Sequence, residues 1–331
     1  MHWTEEQVIR EIHRVFPDRP EIAPRGIGDD CAWIRDDAVL ITTDASIEGV
    51  HFDLNWMSAA DAVWRCMASN VSDVAAMGAF AGPFTLALGL PPTLAFDDIA
   101  SMIGALKSCI EAHGLDGCWI VGGDVVRAPV LTFSVTVLGI RPPWPIVMRR
   151  GARPGNLIAV LGHCGYAAAG LDVCQKFRDR IHDPLFEPFI RAFFHPVALT
   201  QLGPAFAQNH LVTAMMDTSD GVRTDLPRLI EQSQCGAKIH LDAFVPDEPM
   251  KRAANELDGD PIDWMTSGGE DFGLLVTCER EKIETLKKMA QNQGVPCRII
   301  GECTEERGVQ WLEKHRISTR LDRSFRHFDA T

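Results

Sequence analysis

Positive charge is what this sequence is short of. Among 331 residues, 32 Lys and Arg stand against 45 Asp and Glu, a formal net charge of −13 with His neutral. Nucleic-acid binding and adsorption to anionic membranes both rely on cations that meet phosphates, so neither is expected. A phosphorylated small molecule remains a possible partner only if something cationic bridges the repulsion. Zinc and redox motifs are also missing. The ten cysteines form no Cys-x-x-Cys pair and no Cys/His cluster with zinc spacing. Most lie in apolar runs such as Cys118-Trp119-Ile120-Val121, so reduced, buried thiols of a cytoplasmic protein are expected. The opening Met1-His2-Trp3-Thr4-Glu5-Glu6 lacks the basic start and apolar run of a secretory signal. The one long uncharged stretch, Val74 to Phe96, is broken by Gly78, Gly82, Pro83, Gly89, Pro91 and Pro92. Such punctuation suits a helix end, a turn and a strand better than a membrane span. The familiar phosphate motifs are absent as well. Gly-Lys never occurs, which removes GxxxxGK[ST], and there is no GxGxxG after a strand, no His-Arg-Asp catalytic loop and no GxSxG elbow.

What is present is an ordinary globular composition, 46% apolar and 23% charged, in a chain long enough for two domains. Ser58 to Met77 is expected to be a helix, with Ser58 as its cap and Gly78 as its stop. Its second half is apolar and small, so it should be buried, with Asn70, Asp73 and Met77 on one face. Strands are expected at 38–43 (ending on Asp44), 84–90, 130–138, 157–161, 212–216, 272–277 and, last, 297–300. A further buried strand, 118–121, would end in Gly122-Gly123-Asp124. Helices are expected at 4–15, 97–113, from about 225, and at 281–293. Strands and helices mix throughout, so the class is α/β (α+β), and Pro142, Pro143 and Pro145 mark the preferred boundary between residues 1–142 and 146–331.

One unit recurs: an apolar strand that delivers Gly and Asp or Glu at its end. It appears at Asp29/Asp30, Asp44, Gly122-Gly123-Asp124, Asp217/Asp220 and Gly268-Gly269-Glu270-Asp271. A single Asp after a strand is usually a turn or cap residue. Five such sites, plus Asp73 on a helix expected to be buried, point instead to convergence. Converging carboxylates repel one another unless a cation joins them, and Mg²⁺ takes carboxylate oxygens and is completed by substrate phosphates. The neighbouring glycines would let backbone N–H groups approach those phosphates.

Seven motifs then set a resemblance. Gly26-Ile27-Gly28-Asp29-Asp30, Thr42-Thr43-Asp44, Glu48-Gly49-Val50-His51-Phe52, Asn70-Val71-Ser72-Asp73 through Ala79, Gly122-Gly123-Asp124, Asp217-Thr218-Ser219-Asp220-Gly221 and Ser267-Gly268-Gly269-Glu270-Asp271 occur in the order seen in thiamine-monophosphate kinases. These belong to the aminoimidazole ribonucleotide synthetase superfamily, and the resemblance runs from about residue 5 to Phe328. It implies two α/β domains, with N-terminal sheets of two chains joined into a barrel in a homodimer. It implies that Asp30, Thr42, Thr43, Asp44, Asp73, Asp124, Asp217 and Asp220 bind several Mg²⁺ ions, directly or through water. Gly123, Asp124, Arg149 and Ser219 would then contact ATP, and His51, Glu270 and Phe325 the substrate. The aromatics Trp33, Trp56, Trp64 and Trp119 are read as core or interface.

The implied reaction is ATP with thiamine monophosphate giving ADP and thiamine diphosphate by direct in-line transfer. The attacking phosphate oxygen is already anionic, so no general base and no covalent nucleophile is expected. The sequence departs from the family pattern at Val125-Val126, where Thr-Thr is common, at Cys164-Gly165-Tyr166, where Gly-Asp-Ser is common, and at Phe325, where Trp or Tyr is common. Two alternatives stand beside this reading: another ATP-dependent superfamily member with a different phosphorylated substrate, and a non-catalytic sensor of nucleotide or thiamine phosphate. Loss of catalysis would permit loss of costly acids, and the acid set is nearly intact.

Overall fold

The computed structural model describes residues 29–33, 40–140 and 142–318. The expected helix at 4–15 and the substrate contact Phe325 lie outside the described residues. The first sheet is built from β1 (Ala32–Trp33), β2 (Leu40–Ile47), β3 (Phe80–Leu90), β4 (Ile120–Arg127) and β5 (Thr132–Ile140), in the spatial order β1-β2-β5-β3-β4. All of its pairings are antiparallel except β3 with β4. Those two parallel strands require a crossover, supplied by helix α2 (Phe96–Ala112). Helix α1 (Ala59–Ala76) precedes β3 and lies against β2 and β5.

Helix α1 starts where expected. Ser58 accepts from the Asp61 backbone N–H at 3.1 Å, and Asp61 returns the contact to the Ser58 N–H at 3.1 Å, which closes a capping box. The end of α1, the turn at Gly78 and strand β3 account for the uncharged stretch. No helix among the described residues is long and apolar enough to cross a membrane.

The second sheet has seven strands in the order β12-β11-β8-β10-β6-β9-β7. They are β6 (Leu157–Leu161), β7 (Ala214–Thr218), β8 (Gly236–His240), β9 (Gly273–Cys278), β10 (Cys297–Thr304), β11 (Gly308–Glu313) and β12 (Arg316–Ile317). Its helices are α3 (Tyr166–Lys176), α4 (Glu187–Phe194), α5 (Leu202–Gln208), α6 (Val222–Ser233), α7 (Glu248–Leu257), α8 (Pro261–Ser267) and α9 (Ile283–Asn292). Nine of the ten cysteines are buried, Cys297 is half-buried, and all are free thiols. Burial raises the thiol pKa of each of the ten.

Several expectations need correction. Strand β2 runs through Asp44 to Ile47, because Asp44 stays paired with Val135 of β5. The apolar run at 118–121 is not a buried strand: Cys118 is buried, but β4 begins at Ile120, is exposed throughout and carries Gly122-Gly123-Asp124 within it. Hydrophobicity marked a strand, but its place at the sheet edge could not be read from one segment. Helix α6 starts at Val222, three residues before the expected 225, and holds Pro227 inside it. Strand β10 is not the last, since β11 and β12 follow it. Among the described residues of one chain the first sheet is open.

The two sheets share one core. Helix α1 touches β7, α4 and α5 of the second half, and one continuous buried cluster draws side chains from both. His113, which caps the C-terminus of α2, is one of the joints. Its Nε2 accepts from the Ala198 N–H at 3.0 Å, its Nδ1 lies 2.7 Å from the Cys109 carbonyl, and its own carbonyl accepts from Thr200 Oγ1 at 2.8 Å. Burial holds its pKa below the ordinary value, against the bond to Cys109, which favours the charged ring. Protonation would leave the Ala198 N–H facing a donor. The resulting penalty is absent above the ordinary His value of about 6.5 and grows as pH falls below it. Melting temperatures across that range are expected to fall with acidification, and to fall less in His113→Gln.

Candidate active site

The acids gather where α1 meets both sheets. On β2, alternation puts Thr42 and Asp44 on the face turned to α1 and Thr43 on the other. The Thr42 hydroxyl donates to Asp73 Oδ2 at 2.6 Å. The Asp44 backbone N–H donates to Asn70 Oδ1 at 3.2 Å, and Asn70 in turn donates to the Cys66 carbonyl at 2.7 Å. One residue before Asp73, Ser72 donates to Asp217 Oδ2 at 2.9 Å, which ties α1 to the end of β7. Asp30, just before β1, completes the group. One carboxylate oxygen from each of Asp30, Asp73 and Asp217 lies within 4.8 Å of the other two.

Like charges at that spacing repel by about 3 kcal/mol per pair at an effective dielectric of about 20. The carboxyl of Asp73 is accordingly pushed well above the usual range, first by burial and then by Asp44, Asp217 and Asp30, while the Thr42 hydrogen bond works the other way. Asp217 is raised by burial, Asp30 and Asp225, against Arg149 and Ser72. Asp44 is raised by burial and by Asp220, against Ser69. These groups offer only hard carboxylate oxygens, the donor set that suits Mg²⁺ and not a thiophilic metal.

Two arginines stand among the acids. Arg149 holds Asp30 with a fork, Nε to Oδ2 at 3.1 Å and an NH2 contact to Oδ1 at 3.0 Å, and its backbone N–H donates to Asp29. Burial disfavours the charged guanidinium, but Asp30 outweighs burial and raises its pKa. Arg228 on α6 bonds Asp220 at 2.5 Å and lies 3.4 Å from the fully buried Asp225. The chain therefore brings its own cations to a site that would otherwise be uniformly negative.

This architecture has known counterparts. Residues 28–141 match the family model for the N-terminal domain of AIR synthase related proteins, and residues 153–312 match its C-terminal domain. The thiamine-monophosphate kinase of Salmonella typhimurium is 32% identical over 307 residues, 90% of each chain. The chain belongs to the thiamine-monophosphate kinase family. The Escherichia coli K12 member is 31% identical, again over 90% of each chain. Among solved structures, AaThiL complexed with AMPPCP and TMP superposes with a TM-score of 0.83 at 25% identity, over 99% of both chains. The kinase from Stenotrophomonas maltophilia K279a gives 0.77 at 27% identity, over 94% of this chain and 96% of that one.

Against this family background, the structure brings together Asp30, Asp73 and Asp217, with Thr42 on Asp73, Arg149 on Asp30, Asp44 beside Asn70, and Asp220 near enough to Asp44 to raise its pKa. It does not bring the Thr43 side chain there: that hydroxyl donates to the Val135 carbonyl at 3.0 Å and meets Thr136 Oγ1 at 3.0 Å, in the β2–β5 pairing. Asp124 is exposed on β4, its carboxylate accepting from the next backbone N–H, and it is outside the acid cluster found among the described residues. Gly123 beside it is required by contact, because a Cβ there would lie 2.0 Å from the Leu86 carbonyl oxygen of β3. The Ser219 carbonyl accepts from the Glu270 N–H at 2.7 Å, so those two turns are stitched together. His51 Nδ1 accepts from the Ile47 N–H at 3.1 Å, which leaves Nε2 as the protonated nitrogen of the neutral ring.

Sequence reasoning missed four residues here. Ser72, Asp225 and Arg228 lie within or just after the recognised motifs, yet their roles depend on contacts across the fold. Arg65, in none of the motifs, is the one basic residue of α1 and is only 5% exposed. A lone basic residue among small and apolar neighbours was the available signal, since an unpaired buried cation is costly. Asp271, one of the recurring strand-end acids, turns its carboxylate to the N–H groups of Gly165 (2.5 Å) and Ala167 (3.0 Å) at the start of α3. Burial pushes its pKa up to about 7 against those bonds.

Proposed function

We propose that the chain transfers the γ-phosphoryl group of ATP to thiamine monophosphate, producing ADP and thiamine diphosphate. The observation that carries this reading is the cluster of Asp30, Asp73 and Asp217, supplied by both halves of the chain. Family membership and the similar AaThiL complex with AMPPCP and TMP support the same substrates. The carboxylates of Asp30, Asp44, Asp73, Asp217 and Asp220, with Thr42, would hold Mg²⁺ ions. When bound, those ions supply the positive charge that lets two phosphate-bearing reactants approach. Thr43 would serve there through its backbone, and Asp124 and Gly123 from β4 toward the nucleotide.

The chain's own groups do the rest by position. Ser72 and Thr42 fix the Asp217 and Asp73 carboxylates in place. Arg149 and Ser219 face the nucleotide, the planar guanidinium being suited to phosphate oxygens. His51, Glu270 and Phe325 hold the acceptor. The acceptor phosphate oxygen is anionic at neutral pH, so no residue need remove a proton, and direct in-line attack gives the product without a phospho-enzyme.

The exposed strand β4 would form the seam of a homodimer, joining two open sheets into a barrel. Trp119 just before it and Ile120, Val121, Val125 and Val126 along it are each more than two-fifths exposed, and such an apolar edge is a liability until paired. The break between the halves would fall at residues 142–146.

The test is an acceptor panel. The purified chain is incubated with ATP, Mg²⁺ and a set of phosphorylated metabolites, and the products are identified. Thiamine diphosphate should accumulate, and labelled ATP alone should leave no label on the protein. A different product, or a labelled chain, would overturn the substrate or the direct transfer respectively.

A further inference from the structure

We infer that Arg65 is a positioning residue that sets the acceptor end of the site, holding Glu270 and the 47–52 turn from behind without touching substrate. The inference rests on the reading above, in which Glu270 and His51 meet the phosphoryl acceptor.

The guanidinium of Arg65 is enclosed. Its side chain is 6% exposed and its planar group stacks 4.1 Å from the Phe193 ring centroid. One amino group donates to the Phe193 carbonyl of α4. The other reaches Glu270 Oε1 at 2.5 Å and the His51 carbonyl at 3.4 Å. The Glu270 side chain, by contrast, is 34% exposed. The arginine is thus shielded from solvent, and two of its acceptors belong to residues read as substrate contacts.

The Glu270 backbone is held just as firmly. It sits at φ 67, in the left-handed region, with its N–H on the Ser219 carbonyl. A non-glycine residue keeps that conformation only where its surroundings enforce it. Gly269, before it, is so close to the other turn that a Cβ would lie 2.4 Å from the Ser219 carbonyl oxygen. With backbone and carboxylate both fixed, Glu270 is preorganised.

Arg65 and Ser72 are seven residues apart on α1, two turns along the same face. Ser72 grips Asp217 and Arg65 grips Glu270. One face of one helix in the first half therefore holds both acidic turns of the second half, at two separate points. Cutting the Arg65 contact should loosen the acceptor end and leave the Ser72–Asp217 end in place.

The experiment measures kcat and separate KM values for thiamine monophosphate and ATP in the unsubstituted chain, Arg65→Met, Arg65→Lys, Glu270→Gln and the Arg65→Met/Glu270→Gln double variant. Arg65→Met should raise the acceptor KM about tenfold or more while the ATP KM stays within about twofold. Arg65→Lys keeps the charge but not the fork, and should fall between. The double variant should be no worse than the poorer single one, because both break one contact. A folded Arg65→Met with an unchanged acceptor KM, or equal losses for both substrates, would overturn the inference. Should Arg65→Met not fold, the same comparison made with Arg65→Lys decides it. Absence of turnover by the unsubstituted chain is a different result, which would sink the functional reading and this inference with it.

Discussion

Asp73→Asn is expected to lower turnover by roughly a hundred- to a thousandfold, the scale on which removal of one preorganised electrostatic group acts. The substitution keeps shape and removes one charge from a group that gathers carboxylates from β2, α1, β7 and the segment before β1. Thr42 can still donate to the new amide oxygen, so the fold should survive. The stability change has a sign of its own. The Asp73 pKa is raised in the folded chain, so its favourable contribution is present at low pH and is lost as pH rises through the raised value. Near pH 8 without divalent ions, the charged acid destabilises the fold, and Asn should match or exceed the unsubstituted melting temperature. Added Mg²⁺ should then stabilise the unsubstituted chain more than the variant, because a ligand of the folded state raises stability with the logarithm of its concentration over Kd, and so more where it binds more tightly. Thermal unfolding with and without Mg²⁺ checks both. A variant with near-normal turnover would remove Asp73 from the proposed metal set.

Gly203→Val is expected to be the most disruptive single change to the joint between the halves. Gly203 in α5 faces α1 so closely that a Cβ would lie 2.0 Å from the Ala75 carbonyl oxygen and 2.7 Å from its carbon. Both contacts are helix backbone, which cannot swing aside as a side chain can. Ala75 is two residues beyond Asp73, so α1 would have to shift away from α5 and carry Asp73 and Ser72 from Asp217. A cost on the order of 3 kcal/mol is expected, at the upper end of overpacking effects. Turnover should fall even below the unfolding temperature. Denaturant unfolding and activity measured on one preparation check this, and a variant as stable as the parent would show that the helices separate freely.

The contrast between these two residues indicates what was legible beforehand. Asp73 could be singled out because its chemistry is conspicuous: an acid on an otherwise small and apolar helix, within a motif that resembles a family. Gly203 carries no such mark. Its requirement exists only once α5 lies against α1. Arg65 falls between them, visible as an odd charge but without a partner until Glu270, 205 positions away, is brought to it. Strand β4 shows the opposite failure. Its apolar run correctly signalled extended structure, yet burial depends on neighbours, and a strand with only one flanking partner stays exposed. Thr43 was carried along with Thr42 and Asp44 by sequence adjacency, whereas the pleat turns its side chain to the opposite face. Local chemistry and strand periodicity were therefore readable, and long-range approach and edge position were not.

On the proposed reading, acids from both halves make a Mg²⁺-dependent site for phosphorylating thiamine monophosphate. The most direct measurement is thiamine diphosphate formation by the purified chain from ATP and thiamine monophosphate, with Mg²⁺ and then with excess chelator, alongside Asp217→Asn. Product should form with Mg²⁺, cease on chelation, return when the ion is restored, and be nearly absent in Asp217→Asn at any Mg²⁺ concentration. Equal product in chelator, or undiminished turnover by Asp217→Asn, would contradict it.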